Sequence, residues 1–195
     1  SAQARDMDRV RADWMGMLAT VINGLALEDA LERSGIPARL MTAVPMGDAG
    51  EPFGAERARD HLANDRVVIC AGGTGNPFFS TDTAAALRAA QLGAEVLFKA
   101  TKVDGVYEGD PVQNPAYRRF DEISFDEVLR RGLRVMDSAA VAVCRENRIP
   151  IVVFNLTVEG NLLRAVRGEP VGTIVRVPGV CETHVGVPVK EDEHG

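Results

Sequence analysis

At 195 residues, 46% of them apolar, the chain is long enough for one domain with a real hydrophobic core. A net charge of −6 excludes a broad surface for nucleic acid or for an anionic membrane. The three cysteines, Cys70, Cys144 and Cys181, form no CxxC pair, which excludes a disulfide framework and suits a reducing compartment. Residues 1–12 read as a polar, frayed start. Asp13 is read as the cap of a helix over 14–33, with Met15, Leu18, Ile22, Leu25 and Ala26 on one face. Gly35 and Pro37 stop it. Residues 38–44 read as a strand, 45–54 as a loop, 55–63 as a short helix and 66–71 as a second strand.

That strand runs into Gly72-Gly73-Thr74-Gly75-Asn76-Pro77-Phe78-Phe79-Ser80-Thr81-Asp82. Thr81 or Asp82 is read as the cap of a helix to Leu92, with Gly93 just past its end. A strand over 95–100 follows, then a long loop over 101–121. Ser124-x-x-Glu127 is a capping box. Asp137 is read as the cap of a helix over 138–147. Residues 151–154 form a strand behind Pro150, 159–167 a helix, and 172–177 a final strand. The stretch 178–195 reads as a poorly ordered tail.

Strands thus alternate with helices. Apolar, β-branched strands without alternation mean burial on both faces, as in parallel sheets. The expectation is a three-layer α/β/α sandwich with a mainly parallel sheet over residues 1–177. Cys70 and Cys144 are expected in its core. Ligands then bind at the carboxyl ends of the strands.

The 72–82 loop lies at such an end. Its glycines let backbone approach a ligand closely, and Thr74, Asn76, Ser80 and Thr81 add donors. Converging N–H groups at a helix start suit an anion. It is neither a Walker A nor a GxGxxG motif, and a tight turn alone can also require glycines. Lys99, Thr101, Lys102 and Asp104 sit at another strand end, where they suit phosphates or Mg²⁺; Tyr107 suits a base. A charged turn around Asp104-Gly105 is the plainer reading. Asp137 and Asp13 are read as caps or as site carboxylates, and Asp110-Pro111 as a turn. Trp14 suits a core or an interface, and Arg39 and Arg66 suit surface ion pairs. His61, His184 and His194 are scattered. Cys181-x-x-His184 lacks a second pair, so the sequence by itself specifies no metal. No apolar run has membrane length and no signal peptide is present, so the cytoplasm is expected.

With those residues in view, the chain resembles the bacterial uridylate (UMP) kinases of the amino-acid-kinase superfamily. The segments that carry the likeness are 13–20 (DWMGMLAT), 72–82 (GGTGNPFFSTD), 99–107 (KATKVDGVY), 135–137 (VMD) and 150–155, within residues 9–176. The resemblance implies an amino-acid-kinase-like fold. It also implies transfer of the ATP γ-phosphate to UMP, with Mg²⁺, by a cytoplasmic homohexamer in pyrimidine nucleotide biosynthesis. It implies that Asp13, Thr74, Gly75, Asn76, Pro77, Phe78, Phe79, Ser80 and Thr81 bind UMP, with Asp13 on the ribose. Thr101, Tyr107 and Asp110 would bind ATP. Asp82 and Asp137 would be the catalytic carboxylates near the metal. Arg39 and Arg66 match effector positions, with GTP as activator and UTP as inhibitor, although Glu28 stands where GTP-regulated members carry a basic residue. That family begins with a Lys-Leu-Ser-Gly strand and a Gly-Gly-Gly-Asn loop that this sequence does not contain. The expectation is that part of the chain lies outside it. The alternative is a non-catalytic nucleotide-binding or oligomeric storage homologue of the same fold.

Overall fold

A long first helix, α1 (Arg9–Arg33), sets out the first half of the chain. The cap is Asp8, whose Oδ1 accepts the Arg11 N–H at 3.1 Å. Asp13 therefore caps nothing, contrary to expectation; it stands inside the helix. The start is earlier because Asp8 already supplies an N-terminal acceptor. The computed structural model describes residues 7–110 and 113–179. They fall into two compact units, Ser1–Leu92 and Gly93–Gly195. The expected tail lies mostly in 180–195, outside the described residues.

In the first unit, β1 (Ala38–Thr42) pairs in parallel with β2 (Glu51–Pro52) on one side and β3 (Val67–Ala71) on the other. The sequence missed β2, which is only two residues long. A 3₁₀ turn at Gly47–Ala49 and helix α2 (Ala55–Ala63) complete the connection from β1 to β3. Helix α3 (Thr81–Leu92) ends the unit. Of α1, it is Met17, Val21 and Gly24 that are buried. At Gly24 an added Cβ would lie 2.6 Å from Leu40 Cδ1, so the helix approaches the sheet on its small residue. Val21, Leu40 and Ala71 form the core there. Burying a residue such as Leu40 contributes about 1.5–3 kcal/mol.

The face expected to be buried is the other one. Met15, Leu18, Ile22 and Leu25 remain exposed, together with Trp14. Cys70 is also exposed, not in the core: its neighbours Ile69 and Ala71 pack with Val21 and Leu40, and alternation along β3 turns Cys70 to the other face. Cys144 is buried as expected. Leu40 N–H does not join a ladder; it donates to Glu28 Oε1 at 2.8 Å.

In the second unit the strand order is β4-β6-β7-β5, where β4 is Leu97–Thr101, β5 Glu122–Ser124, β6 Ile151–Asn155 and β7 Thr173–Arg176. Pairing is parallel except between β6 and β7. Parallel pairing therefore dominates a mixed α/β fold, as expected, with the strands hydrogen-bonded into two sheets. Central β6 is buried at Ile151–Phe154, the continuous pattern of a strand covered on both faces. Phe154 meets Phe98 edge-on, centroids 6.2 Å apart. Helices α4 (Phe125–Arg131), α5 (Ser138–Glu146) and α6 (Asn161–Val166) complete the unit. Ser124 caps α4, but only half of the capping box forms: the Glu127 carboxylate turns to Arg130 and Arg131 instead of the cap N–H.

Candidate functional site

The loop after β3 is fixed from several sides. Gly72 N–H donates to Thr20 Oγ1 at 2.8 Å, and that hydroxyl donates to the Met17 carbonyl at 2.7 Å. Gly75 N–H returns to the Gly72 carbonyl at 3.0 Å. Gly75 has φ +79°, and a Cβ there would lie 2.9 Å from the Ala43 carbonyl oxygen. Only glycine meets both conditions without strain. Asn76 N–H donates to Thr74 Oγ1 at 3.2 Å, so two of the expected ligand groups shape the turn itself.

Phe78 holds φ +71°, a conformation unfavourable for an aromatic residue. Its N–H donates to Asp13 Oδ2 at 2.8 Å. Arg9 Nε lies 2.9 Å from both Asp13 oxygens, and its guanidinium carbon stands 5.8 Å from the Phe78 ring centroid. The Phe78 N–H first, and then Arg9, hold the Asp13 carboxyl below its ordinary range. Asp13, half-buried, is thus a latch on the loop.

The α3 cap is Ser80, not Thr81 or Asp82: its Oγ accepts Thr83 N–H at 3.1 Å and its carbonyl accepts Ala84 N–H at 3.1 Å. The hydroxyl reaches a donor three residues on, which places the helix start at Thr81. Asp82 falls in the first turn, where its charge complements the helix dipole. Asp13, Thr74, Asn76, Phe79, Ser80 and Thr81 line one crevice of about 180 Å³. Gly75, Pro77 and Phe78 are not among its lining residues. Helix α1 adds Gly16, Met17 and Thr20 to the wall. Sequence reasoning missed these, although Asp13, Gly16, Met17 and Thr20 follow helical spacing on one face.

In the second unit, Thr101 closes β4. Its hydroxyl accepts Val103 N–H at 2.9 Å and lies 2.8 Å from the Val103 carbonyl, which shapes the turn out of the strand. Asp104 Oδ1 accepts Asn155 Nδ2 at 2.8 Å, tying the loop to β6. Tyr107 bridges to Arg119. Tyr107 and Asp110 line a crevice of about 440 Å³, whose far wall includes Arg131, Leu133 and Arg134. Thr101 does not line it. The Asp110 carbonyl accepts Gln113 and Asn114 N–H at 3.1 Å, the expected turn. Asp137 caps α5 as expected, Oδ1 accepting Ala140 N–H at 2.9 Å.

Arg39 stands between carboxylates, 4.0 Å from Glu28 and 3.7 Å from Glu51. Arg66 Nη1 lies 3.1 Å from His61 Nδ1, and His61 Nε2 lies 3.1 Å from Glu51 Oε2. A guanidinium only donates, so Nδ1 accepts and Nε2 carries the proton toward Glu51. Arg39 thus makes the ion pairs its sequence suggested, while the Arg66 contact recorded here is with histidine. Among the described residues no three His, Cys, Asp or Glu side chains gather around a common metal position. The Cys181 and His184 pair lies outside them. No helix among the described residues is long and apolar enough to cross a membrane.

Two parallel-dominated units, each with a loop leaving the carboxyl end of a strand (β3 in the first, β4 in the second), define an α/β protein of the ligand-binding type. The amino acid kinase family profile matches residues 1–155, and the chain belongs to that family. Among solved structures it is similar to the UMP kinase of Bacillus anthracis (36% identity, TM-score 0.86, 90% of this chain and 72% of that one). It is also similar to the UMP kinase of Ureaplasma parvum (37%, TM-score 0.85, 90% and 75%). The uridylate kinase of Archaeoglobus fulgidus is more distant (30%, TM-score 0.66, 89% and 76%). The chain is a phosphotransferase of the kinase type.

Proposed function

We propose that the protein transfers the γ-phosphate of ATP to UMP, giving UDP and ADP. The observation that carries this reading is the junction of Asp13 with the glycine loop, a carboxylate latched to Phe78 N–H beside a crevice lined by Thr74, Asn76, Ser80 and Thr81. A ribose needs an acceptor such as Asp13; a phosphate needs donors such as the loop hydroxyls and N–H groups. The similarity to bacterial UMP kinases supports UMP as the acceptor. Gly75, Pro77, Phe78 and Phe79 give the loop its shape around it. Thr101, Tyr107 and Asp110 are proposed to take ATP, with the 440 Å³ crevice that Tyr107 and Asp110 line as part of the nucleotide's bed.

Phosphoryl transfer asks for in-line placement and for cations on the equatorial oxygens. A phosphate acceptor is already ionised, so no side chain has to remove a proton. Mg²⁺ enters with ATP as part of the substrate. It favours hard oxygen ligands, one or two carboxylates together with phosphates, and Asp82 and Asp137 supply such oxygens. Their proposed role is to hold the metal and orient groups. We also propose cytoplasmic location and assembly as a homohexamer; the exposed stripe Trp14, Leu18, Ile22 and Leu25 on α1 supports self-association. Regulation by GTP and UTP through Arg39 and Arg66 is proposed with it, and an effector would have to compete with the carboxylates of Glu28 and Glu51 for Arg39.

A coupled ADP-release assay with UMP, CMP and dUMP tests the reaction. UMP-dependent turnover, with CMP and dUMP poorer, is expected. Absence of UMP-dependent turnover overturns the kinase reading, and calorimetric UMP binding without turnover then leaves a nucleotide-binding homologue.

A further inference from the structure

The glycine loop carries no basic side chain, and the nearby Arg9 is already held by Asp13. A phosphate group with up to two negative charges would therefore meet donors without a cation from the loop. Helix α3 carries a cation that touches the loop, Arg88. The Arg88 guanidinium carbon lies 3.8 Å from the Phe53 ring centroid, a close stack. Its Nη1 donates to Gln91 Oε1 at 2.7 Å, and its Nη2 reaches the Gly73 carbonyl at 3.5 Å. Its contacts among the described residues are thus a ring, an amide and a backbone carbonyl, with no carboxylate among them.

A half-buried guanidinium with no carboxylate partner among the described residues is unfavourable. Burial indeed lowers the Arg88 pKa from its ordinary value, with the Cys70 sulfur acting the other way. Such a charge is stabilised once an anion settles nearby, and the loop whose carbonyl it touches is the proposed phosphate cradle. We propose that Arg88 is a positioning residue that fixes the Gly73 carbonyl and places positive charge beneath the loop, offsetting the charge of the acceptor's phosphate. Phe53 and Gln91 hold the guanidinium flat, with Arg59 Nη1 donating to the Gln91 carbonyl at 2.8 Å to support that wall.

The inference rests on the proposed UMP site, and the test separates the two. UMP and uridine are titrated calorimetrically into the whole protein and into Arg88→Met, Arg88→Lys and Phe53→Leu, each checked for a cooperative melt. For Arg88→Met, UMP affinity is expected to fall about tenfold or more while uridine affinity changes little. The salt dependence of UMP binding becomes shallower. Arg88→Lys recovers most of the loss by returning the charge, and Phe53→Leu loses less than Arg88→Met. Equal losses for UMP and uridine mean a merely structural role and overturn the inference. Unchanged UMP affinity in a folded Arg88→Met protein overturns it as well, while leaving the UMP site intact. If the unaltered protein binds no UMP, the site reading itself falls.

Discussion

Replacing Thr20 by valine removes one hydroxyl and nothing else of comparable size. Both side chains branch at Cβ and are close in bulk, so the change is mainly the loss of the hydroxyl and of its bond to the i−3 carbonyl. The hydroxyl accepts the N–H of buried Gly72 at 2.8 Å and donates to Met17. Valine leaves the Gly72 N–H desolvated and unpaired, which costs about 1–3 kcal/mol. For a chain of this size each kcal/mol lowers the melting temperature by about 2–4 °C. The expected drop is therefore about 2–12 °C, read by calorimetry. Because Gly72 is the hinge between β3 and the loop, KM for UMP should rise in the same variant. Thr20→Ser keeps the hydroxyl and loses only a methyl, so it should restore KM. A Thr20→Val protein that melts within about 1 °C of the parent with unchanged KM refutes the claim that Thr20 anchors the loop.

Asp137→Asn should preserve the melt, since asparagine caps a helix about as well as aspartate, while kcat falls at least about 100-fold; an unchanged kcat removes Asp137 from the mechanism. The Asp13 carboxyl titrates below its unfolded value of about 3.9, so its hold on Phe78 is complete above that pH and is lost as pH falls through the lower folded value. Amide exchange at Phe78 should report this loss, and an identical profile in Asp13→Asn would contradict it. Gly172→Ala puts a Cβ 1.9 Å from the Val153 carbonyl oxygen at φ +70°. Backbone has to move between β6 and β7, and a loss of at least about 3 kcal/mol is expected from the denaturant midpoint. Burial pushes the Cys144 thiol to about 11, so peptide mapping after alkylation at pH 8 should find it unmodified in the folded protein.

Much of the architecture was legible because its signals are local. Gly93 past α3, Asp137 before α5 and Pro150 before β6 each mark a boundary by backbone chemistry alone, and the structure keeps all three. The misses come from choices made at a distance. Met15, Leu18, Ile22 and Leu25 are more apolar than Gly24, yet Gly24 faces the sheet because its lack of a side chain lets α1 come close. Apolarity therefore pointed to the wrong face. Cys70 looked like core because β3 is apolar, but alternation along the strand turns it away from the core that Ile69 and Ala71 join. Of the site, the glycine loop announced itself, whereas Thr20, Arg88 and Phe53 did not. They stand 52, 15 and 35 positions away in sequence from the residues they hold, and no spacing rule links a stacked arginine to a loop carbonyl.

Glu28 has a consequence beyond its ion pair with Arg39. Alternate residues of β1 point their backbone groups to opposite neighbours: Ala43 N–H goes to Ala71 of β3, while the Thr42 carbonyl receives Phe53 N–H from the β2 side. Leu40 therefore faces the β2 side, where β2 is too short to reach it. The Glu28 carboxylate takes that N–H in place of a strand. An unpaired strand edge is a template on which other chains can add. Here a charged side chain from the same unit plugs the template, so the sheet stops where it should during folding. A lysine or arginine at position 28 has no acceptor to offer and would reopen that edge. The charge at this position thus bears on the solubility of the chain.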